Sequence, residues 1–304
     1  MDKKIDYKQI MELYLSTDWS ENSKNENENE YCKISSFSGE IMKNECYKVE
    51  IDDKILFLKI TDQNELNAIK LLKHYNISVP NLLETMIGSV SNRVALFEDY
   101  IIGQELNFQS EEGSWRNVAK EIANMHKLFW GLSPFITNKK TEDIHQKKCE
   151  IVKNEKYFQT HFEDVITIIK SRLLEVPYVL SHGDALPNNF LLDGKDVKII
   201  DLENVSLLPY FFDIARLISI PKSCNEYLNW TMINNLIDEY YNIIKEKLEF
   251  DKNVFLKDIY IGCFIEAGNI CQQMINYIGN REYREFIEMY LHGFANKIID
   301  LNEL

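Results

Sequence analysis

Residues 178–201 contain three short runs with the character of β-strands, inside a region whose periodicity is otherwise helical. The runs are Tyr178–Leu180, Phe190–Leu192 and Val197–Ile200, and Asp193-Gly194 supplies a turn between the last two. These three runs, called the β island below, restrict the second part of the chain to a mainly helical unit with a local hairpin. The apolar spacing predicts five helices around it, over Trp115–Trp130, Asn154–Glu175, Glu226–Leu248, Val254–Tyr277 and Arg281–Leu301.

The first hundred residues have a different pattern. We expect a helix over residues 5–15, an Asn/Glu-rich loop or linker over Ser20–Glu30, and then mainly strands. The change of pattern predicts a β-rich amino-terminal domain over residues 1–101, a hinge at about 98–103 and a helical domain over 102–304. Within the first domain we expect strands over Tyr31–Phe37, Glu45–Ile51, Lys54–Ile60, Leu82–Ile87 and Arg93–Phe97, with a helix over Asp62–His74.

The charge of the chain excludes some classes of partner. The 304 residues include 34 Lys and Arg against 48 Asp and Glu, which gives a net charge of −14. Nucleic acids and anionic membranes attract basic surfaces, so we expect neither as a partner. A cationic small substrate suits this charge, although solubility alone is the simpler explanation. The six cysteines lack C-x-x-C spacing and the first residues lack an apolar signal segment, so we expect a cytoplasmic protein.

The β island also carries the residues that indicate a chemistry. Asp184 lies on the loop after the first run, Asn189 follows five residues later, and Asp201 ends the third run. Carboxylate and amide oxygens are ligands that suit Mg²⁺. Phosphoryl transfer needs such a metal site together with one carboxylate that accepts the proton of the nucleophile. These residue types therefore suit a Mg²⁺ site of the kind that phosphoryl transfer needs.

Three linked motifs resemble the aminoglycoside phosphotransferase and choline kinase group, the small-molecule branch of the protein-kinase-like fold. They are H-G-D-x-x-x-x-N at 182–189, I-D-x-E at 200–203 and D-I-A at 213–215. The resemblance covers about residues 31–220. It implies an α+β fold with two lobes, a small antiparallel β lobe that binds a nucleotide and a larger, mainly helical lobe that binds the substrate.

The resemblance implies a role for each matching position in the second half. Asp184 would orient the hydroxyl of the acceptor and take its proton, while Asn189 and Asp201 would hold Mg²⁺. His182 and Asp213 would fix the conformation of the loop that carries Asp184. The γ-phosphate of ATP or GTP would pass directly to the acceptor.

The first half contains candidates for nucleotide binding. Lys59 resembles the strand lysine that holds the α- and β-phosphates, and Glu65 resembles the helix glutamate that pairs with it. At the hinge, Asp99 and Ile101 are the candidates whose backbone groups would meet the purine.

A loop over residues 36–44 occupies the place of the segment that covers the phosphates in this family, and Ser38 and Gly39 are its candidate contacts. Gly39 is the only glycine of the loop, so the chain departs here from G-x-G-x-x-G. This departure leaves the choice between ATP and GTP open.

The sequence leaves the acceptor open. We expect an aminoglycoside-like antibiotic, and therefore a role in antibiotic resistance. The alternatives are a metabolic kinase for choline, ethanolamine or another small alcohol, and a nucleotide-binding module without catalysis. His126, inside a predicted helix, is expected to be a core histidine. An aromatic cage binds quaternary amines and acidic side chains bind polyamines, and the candidates to line such a pocket are Glu203, Glu226, Trp230, Tyr260 and Glu266.

Overall fold

The structure is a computed structural model. It describes residues 5–15, 26–29, 32–36, 45–87, 93–131, 139–149, 156–219, 226–275 and 281–303. The chain divides into two compact units. The first unit comprises Met1–Gly103 with Lys198–Glu203, and the second comprises Gln104–Val197 with Asn204–Leu304.

The first unit contains an antiparallel sheet of six strands in the order β1-β2-β3-β4-β6-β5. Alternate side chains such as Val49 and Leu58 are fully buried, which explains why this face of the sheet forms a core. Ile10 of the first helix packs into the same core. The elements are α1 (Tyr7–Leu15), β1 (Glu26–Glu28), β2 (Lys33–Ser36), β3 (Glu45–Ile51), β4 (Lys54–Thr61), α2 (Gln63–His74), β5 (Leu82–Ile87) and β6 (Val94–Asp99).

One expectation for the first unit is wrong in part. The polar segment Ser20–Glu30 was expected to be a loop, but its residues Glu26–Glu28 form the edge strand β1, paired with Lys33–Ser35 of β2. The Glu26 carboxylate lies 2.6 Å from Lys33 Nζ. An edge strand can consist of charged residues because its side chains remain in water.

The second unit is mainly helical and contains two small sheets. One has the strand order β10-β9-β7, and the other pairs β8 with β11. The helices are α3 (Glu112–Leu128), α4 (Lys139–Lys148), α5 (Lys156–His161), α6 (Glu163–Arg172), α7 (Phe212–Ser219), α8 (Trp230–Ile244), α9 (Lys252–Ile275) and α10 (Arg281–Asn302). The strands are β7 (Gln104–Glu105), β8 (Tyr178–Ser181), β9 (Phe190–Asp193), β10 (Asp196–Ile199) and β11 (Ser206–Pro209). The last two residues of β10 are counted with the first unit.

Several details of the second unit differ from the sequence expectation, since the helices α4 and α7 and the strand β7 were not expected. The helix expected over Asn154–Glu175 is interrupted at Phe162, where the backbone leaves helical geometry between α5 and α6. The strand β11, Ser206–Pro209, was not expected. All four of its residues are buried, and a short apolar run of this kind lacks the alternation that identifies a strand. Within the described ranges, no helix is both long and apolar enough to cross a membrane.

Candidate active site

Lys59 is the centre of a buried cluster of charges in the first unit. Its side chain is only 5% exposed, and its Nζ lies 2.7 Å from Glu65 Oε1 and 2.7 Å from Asp201 Oδ1. The local sequence explains the first contact. Asp62 caps α2 by accepting the N–H groups of Asn64 and Glu65, so Glu65 lies in the first turn, close to the end of the strand that carries Lys59.

The Glu65 carboxylate is held from several sides. Oε2 accepts the Thr61 hydroxyl at 2.6 Å, and Oε1 also accepts the backbone N–H of Leu202 at 3.1 Å. Burial alone would lower the pKa of Lys59, but the carboxylates of Glu65 and Asp201 outweigh it and raise that pKa above its ordinary value. The ammonium group therefore stays charged.

Asp201 has an uncommon backbone conformation. Its φ is +58°, in the left-handed region that residues other than glycine rarely adopt. Such strained residues concentrate at functional sites, where the surrounding structure maintains them. The ion pair with Lys59 is one of the contacts that hold Asp201 in this position.

The expected hinge begins with the last two residues of β6, Glu98 and Asp99. Glu98 is 6% exposed, and burial together with the nearby Glu65 carboxylate raises its pKa to about 7. The Asp99 N–H donates to the carbonyl of Asn81 at 3.0 Å, and its carboxylate accepts the side-chain amide of the same residue at 2.8 Å. Ile101 is half-buried. Ser38 and Gly39, the candidates in the loop over the phosphates, lie outside the described residues.

In the second unit, the turn after β8 is fixed by Asp213 of α7. Asp213 Oδ2 accepts the N–H of His182 at 2.6 Å, and Oδ1 accepts the N–H of Gly183 at 3.0 Å. Gly183 has φ +83°, and a Cβ there would lie 2.1 Å from the carbonyl oxygen of Asn204. The turn therefore requires glycine immediately before Asp184.

Asp184 is oriented by an arginine that the sequence analysis missed. Its Oδ1 accepts a hydrogen bond from Arg216 Nε at 3.1 Å and lies 2.9 Å from Arg216 Nη2, whereas Oδ2 has no hydrogen-bond partner in the described parts of the chain. Asn189, 5% exposed, donates its amide to the Asp184 backbone carbonyl at 2.8 Å. This donation leaves the side-chain oxygen of Asn189 available as a ligand.

Arg216 belongs to a larger buried network. Its Nη1 lies 2.9 Å from Glu266 Oε2, and Lys148 Nζ lies 2.6 Å from Glu266 Oε1. Burial would raise the pKa of Glu266, but the two cations outweigh it and hold that pKa below the ordinary value. One signal for Arg216 was present in the sequence, since it follows Asp213 by three residues, one helical turn later on α7.

His126 is buried in α3, as expected. Its Nε2 lies 2.9 Å from Asp213 Oδ2, a contact that the sequence did not indicate. The structure therefore brings together His182, Asp184, Asn189 and Asp213 in the second unit, and Lys59, Glu65 and Asp201 in the first unit.

A family comparison decides the class of the protein. The model of the phosphotransferase enzyme family matches residues 61–231, which is more than half of the 304 residues. The chain belongs to the phosphotransferase enzyme family. This membership confirms the resemblance inferred from the motifs. None of the curated protein sequences matches this phosphotransferase significantly.

Solved structures with the same fold include several small-molecule kinases. A choline kinase from Cryptosporidium parvum is 15% identical, with a TM-score of 0.58 and coverage of 90% of this chain and 91% of that chain. An amicoumacin kinase solved with AMP-PNP, Ca²⁺ and Ami is 15% identical, with a TM-score of 0.58 and 88% of each chain covered. A spectinomycin phosphotransferase solved with ADP and spectinomycin is 14% identical, with a TM-score of 0.56 and coverage of 99% and 100%. These similarities confirm the predicted two-lobed, protein-kinase-like α+β fold.

The candidates for substrate binding in this phosphotransferase have different surroundings. Glu203 and Glu226 are half-buried. Glu266 is buried, and each of its carboxylate oxygens already accepts a hydrogen bond from a cation. Trp230 and Tyr260 share one cation, because Lys297 Nζ lies 5.1 Å from the centre of each ring. Burial raises the pKa of Tyr260 to about 12.

Proposed function

We propose that this phosphotransferase transfers the γ-phosphate of ATP or GTP to a hydroxyl group of a small molecule with the help of Mg²⁺. The observation that carries the proposal is the buried ammonium group of Lys59 between the carboxylates of Glu65 and Asp201, at 2.7 Å from each. A charged group that is held this firmly is preorganised for a highly charged ligand such as a nucleoside triphosphate. In this proposal Lys59 contacts the α- and β-phosphates and Glu65 keeps its side chain in place.

The rest of the nucleotide site is proposed from the resemblance alone. The backbone at Asp99 and Ile101 would bind the purine, and Ser38 and Gly39 would approach the phosphates. The Asp99 N–H already donates to Asn81, which favours the neighbouring backbone groups of this segment as the partners of the purine.

The residues assigned to Mg²⁺ have the right chemistry. Asn189 presents a side-chain oxygen that no other described residue uses, and Asp201 contributes a carboxylate. Within the described residues, no group of three or more His, Cys, Asp or Glu side chains forms a metal site. A site with few protein ligands suits Mg²⁺, which retains waters and binds substrate phosphates. The ion would supply charge neutralisation for the phosphates.

Asp184 has the geometry of a group that accepts the proton of the acceptor. Arg216 occupies Oδ1, so Oδ2 is the oxygen that would meet the incoming hydroxyl. The hydroxyl oxygen attacks the γ-phosphorus, the bond between this phosphorus and the β–γ bridging oxygen breaks, and the nucleoside diphosphate leaves. The hydroxyl proton passes to Asp184 Oδ2.

For the acceptor we propose an aminoglycoside-like antibiotic, in line with the net charge of −14. One observation favours the alternative of a choline- or ethanolamine-type kinase. The rings of Trp230 and Tyr260 already hold an ammonium group, that of Lys297, at cation–π distance. The pair therefore has the chemistry to recognise a small amine.

A phosphate-transfer screen tests the proposal. ATP and GTP are supplied separately with Mg²⁺, against aminoglycosides, choline, ethanolamine and sugars. We expect turnover on one acceptor that Asp184→Asn abolishes without loss of nucleotide binding, and that Asp193→Asn, an exposed aspartate of the neighbouring hairpin, leaves unchanged.

Two results of this screen would contradict the proposal. Turnover that persists in Asp184→Asn would remove this residue from the mechanism. Failure of ATP and GTP to shift the melting temperature would contradict the assignment of the nucleotide site. We expect Asp201→Ala to lose the Mg²⁺ dependence of nucleotide affinity.

A further inference from the structure

Asp213 makes three polar contacts in the interior of the second unit. Two come from the backbone N–H groups of His182 and Gly183, at 2.6 and 3.0 Å. The third contact, whose direction depends on where the His126 ring carries its protons, is with His126 Nε2, 2.9 Å from Oδ2. Both side chains are almost fully buried, with His126 at 0% and Asp213 at 1% exposure. Since both carboxylate oxygens receive N–H donors, Asp213 is ionised, and the Nε2 that faces it must carry a proton.

The other ring nitrogen of His126 faces the hydroxyl group of Tyr240. Nδ1 and the Tyr240 oxygen are 2.7 Å apart. The same hydroxyl lies 2.8 Å from the carbonyl oxygen of Tyr210, which can only accept. A tyrosine has one hydroxyl proton, so this proton goes to Tyr210 and the Tyr240 oxygen accepts from His126 Nδ1.

We infer that His126 carries a proton on both ring nitrogens, and that its imidazolium forms a buried ion pair with Asp213 and so positions the turn that carries Asp184. A neutral ring leaves one contact unmade in either tautomer. Without the Nε2 proton, a lone pair faces the Asp213 carboxylate. Without the Nδ1 proton, the Tyr240 hydroxyl must turn away from the buried carbonyl of Tyr210, which then loses its partner.

The ion pair explains how a buried carboxylate can anchor the turn. An isolated charge in the interior is strongly disfavoured, and a cation at hydrogen-bond distance offsets that cost. His126 belongs to α3 and Tyr240 to α8, so the two helices supply the counter-charge and its support. His126 is thus a positioning residue that acts through Asp213. Its effect on the reaction rests on the proposed function, whereas its charge state does not.

The first experiment observes the two protons directly. The protein is labelled with ¹⁵N-histidine, and the ring nitrogens are correlated with their attached protons by NMR at neutral pH. The chain has six histidines, and His126→Gln identifies the signals of His126. We expect a proton on both nitrogens. A single protonated nitrogen would overturn the inference. If His126→Gln does not fold, the change of the His126 signals in Tyr240→Phe gives the same assignment.

The second experiment tests the positioning role by hydrogen exchange of the His182 and Gly183 amides. Glutamine at position 126 retains an N–H that can reach Asp213 but has no charge. The variant removes the counter-charge of the buried Asp213 carboxylate, which weakens its hold on the two amides, so we expect exchange to become at least about tenfold faster. His145→Gln is the matched control, since His145 also contacts a tyrosine hydroxyl, that of Tyr178, at 3.0 Å. Unchanged exchange in His126→Gln would refute the positioning role. Neither experiment needs a substrate, so the inference and the proposed function can fail separately.

Discussion

Glu98 is a buried carboxyl group whose ionisation the fold disfavours. Replacement by glutamine measures how much this ionisation lowers the free energy of unfolding. It lies on β6 at 6% exposure, and no hydrogen-bond donor of the described chain reaches its carboxylate. Burial contributes most and the Glu65 carboxylate adds to it, while Lys59 opposes them, so that the pKa rises from 4.5 to about 7. Glu98→Gln keeps the shape of the side chain and removes the titration.

The sign of the effect follows from the higher pKa in the folded state. Below about pH 4.5 Glu98 is protonated in both states and carries no penalty. As the pH rises from 4.5 to about 7, the unfolded chain releases this proton first, so stability falls. Above about pH 7 the full penalty applies, on the order of 3 kcal/mol at about 1.4 kcal/mol for each pKa unit.

Urea unfolding of the wild type and of Glu98→Gln measures the penalty. Linkage gives the variant an advantage in unfolding free energy of about 3 kcal/mol at about pH 8 and about 1 kcal/mol at about pH 5. The quantity to compare is the change of this advantage between the two pH values, about 2 kcal/mol, because any constant effect of the amide cancels. Glu84→Gln, an exposed position on the neighbouring strand β5, should change by less than about 0.5 kcal/mol. A pH-independent difference for Glu98→Gln would refute the reasoning.

Four further substitutions test other contacts. Lys59→Met removes the cation between two carboxylates, and we expect nucleotide affinity to fall at least about tenfold in a fluorescence titration. Gly183→Ala places a methyl group against backbone in a left-handed turn, which should lower the melting temperature by several degrees in calorimetry. Arg216→Lys keeps the charge but loses the two-pronged contact with Asp184, so kcat should fall at least about tenfold while the KM for nucleotide is unchanged. Lys297→Ala removes the ammonium group that lies against the Trp230 ring, and calorimetric titration should then detect binding of tetramethylammonium. Absence of binding would contradict the cation–π interpretation.

The local parts of the candidate site could be predicted from the sequence. Lys59 and Glu65 are six residues apart, and a strand followed by a helix capped at Asp62 brings them together without information from the rest of the chain. The turn at Gly183 is local in the same sense, since its left-handed backbone favours the one residue without a Cβ. The match to the family motifs predicted the fold class, because these motifs follow one another at a fixed spacing along the chain.

Contacts between distant segments could not be predicted. The strand Ser206–Pro209 has an apolar pattern that fits a strand or a buried helix, and its pairing with Tyr178–Ser181 decides between them. The contact of His126 with Asp213 spans 87 residues. A histidine on the apolar face of a helix has the same sequence pattern whether its ring meets hydrocarbon or a carboxylate.

The contacts of α7 explain the D-I-A motif and the arginine that follows it. On α7, Asp213 holds the backbone of the turn before Asp184, and Arg216, one helical turn later, holds the Asp184 carboxylate. Between them lies Ala215, whose Cβ would be only 2.7 Å from a Cβ at Gly262 of α9. A small residue on each helix thus permits the close approach that brings Glu266, one turn beyond Gly262, within 2.9 Å of Arg216. A larger side chain at position 215 or 262 is therefore expected to disturb the orientation of Asp184 without contacting it.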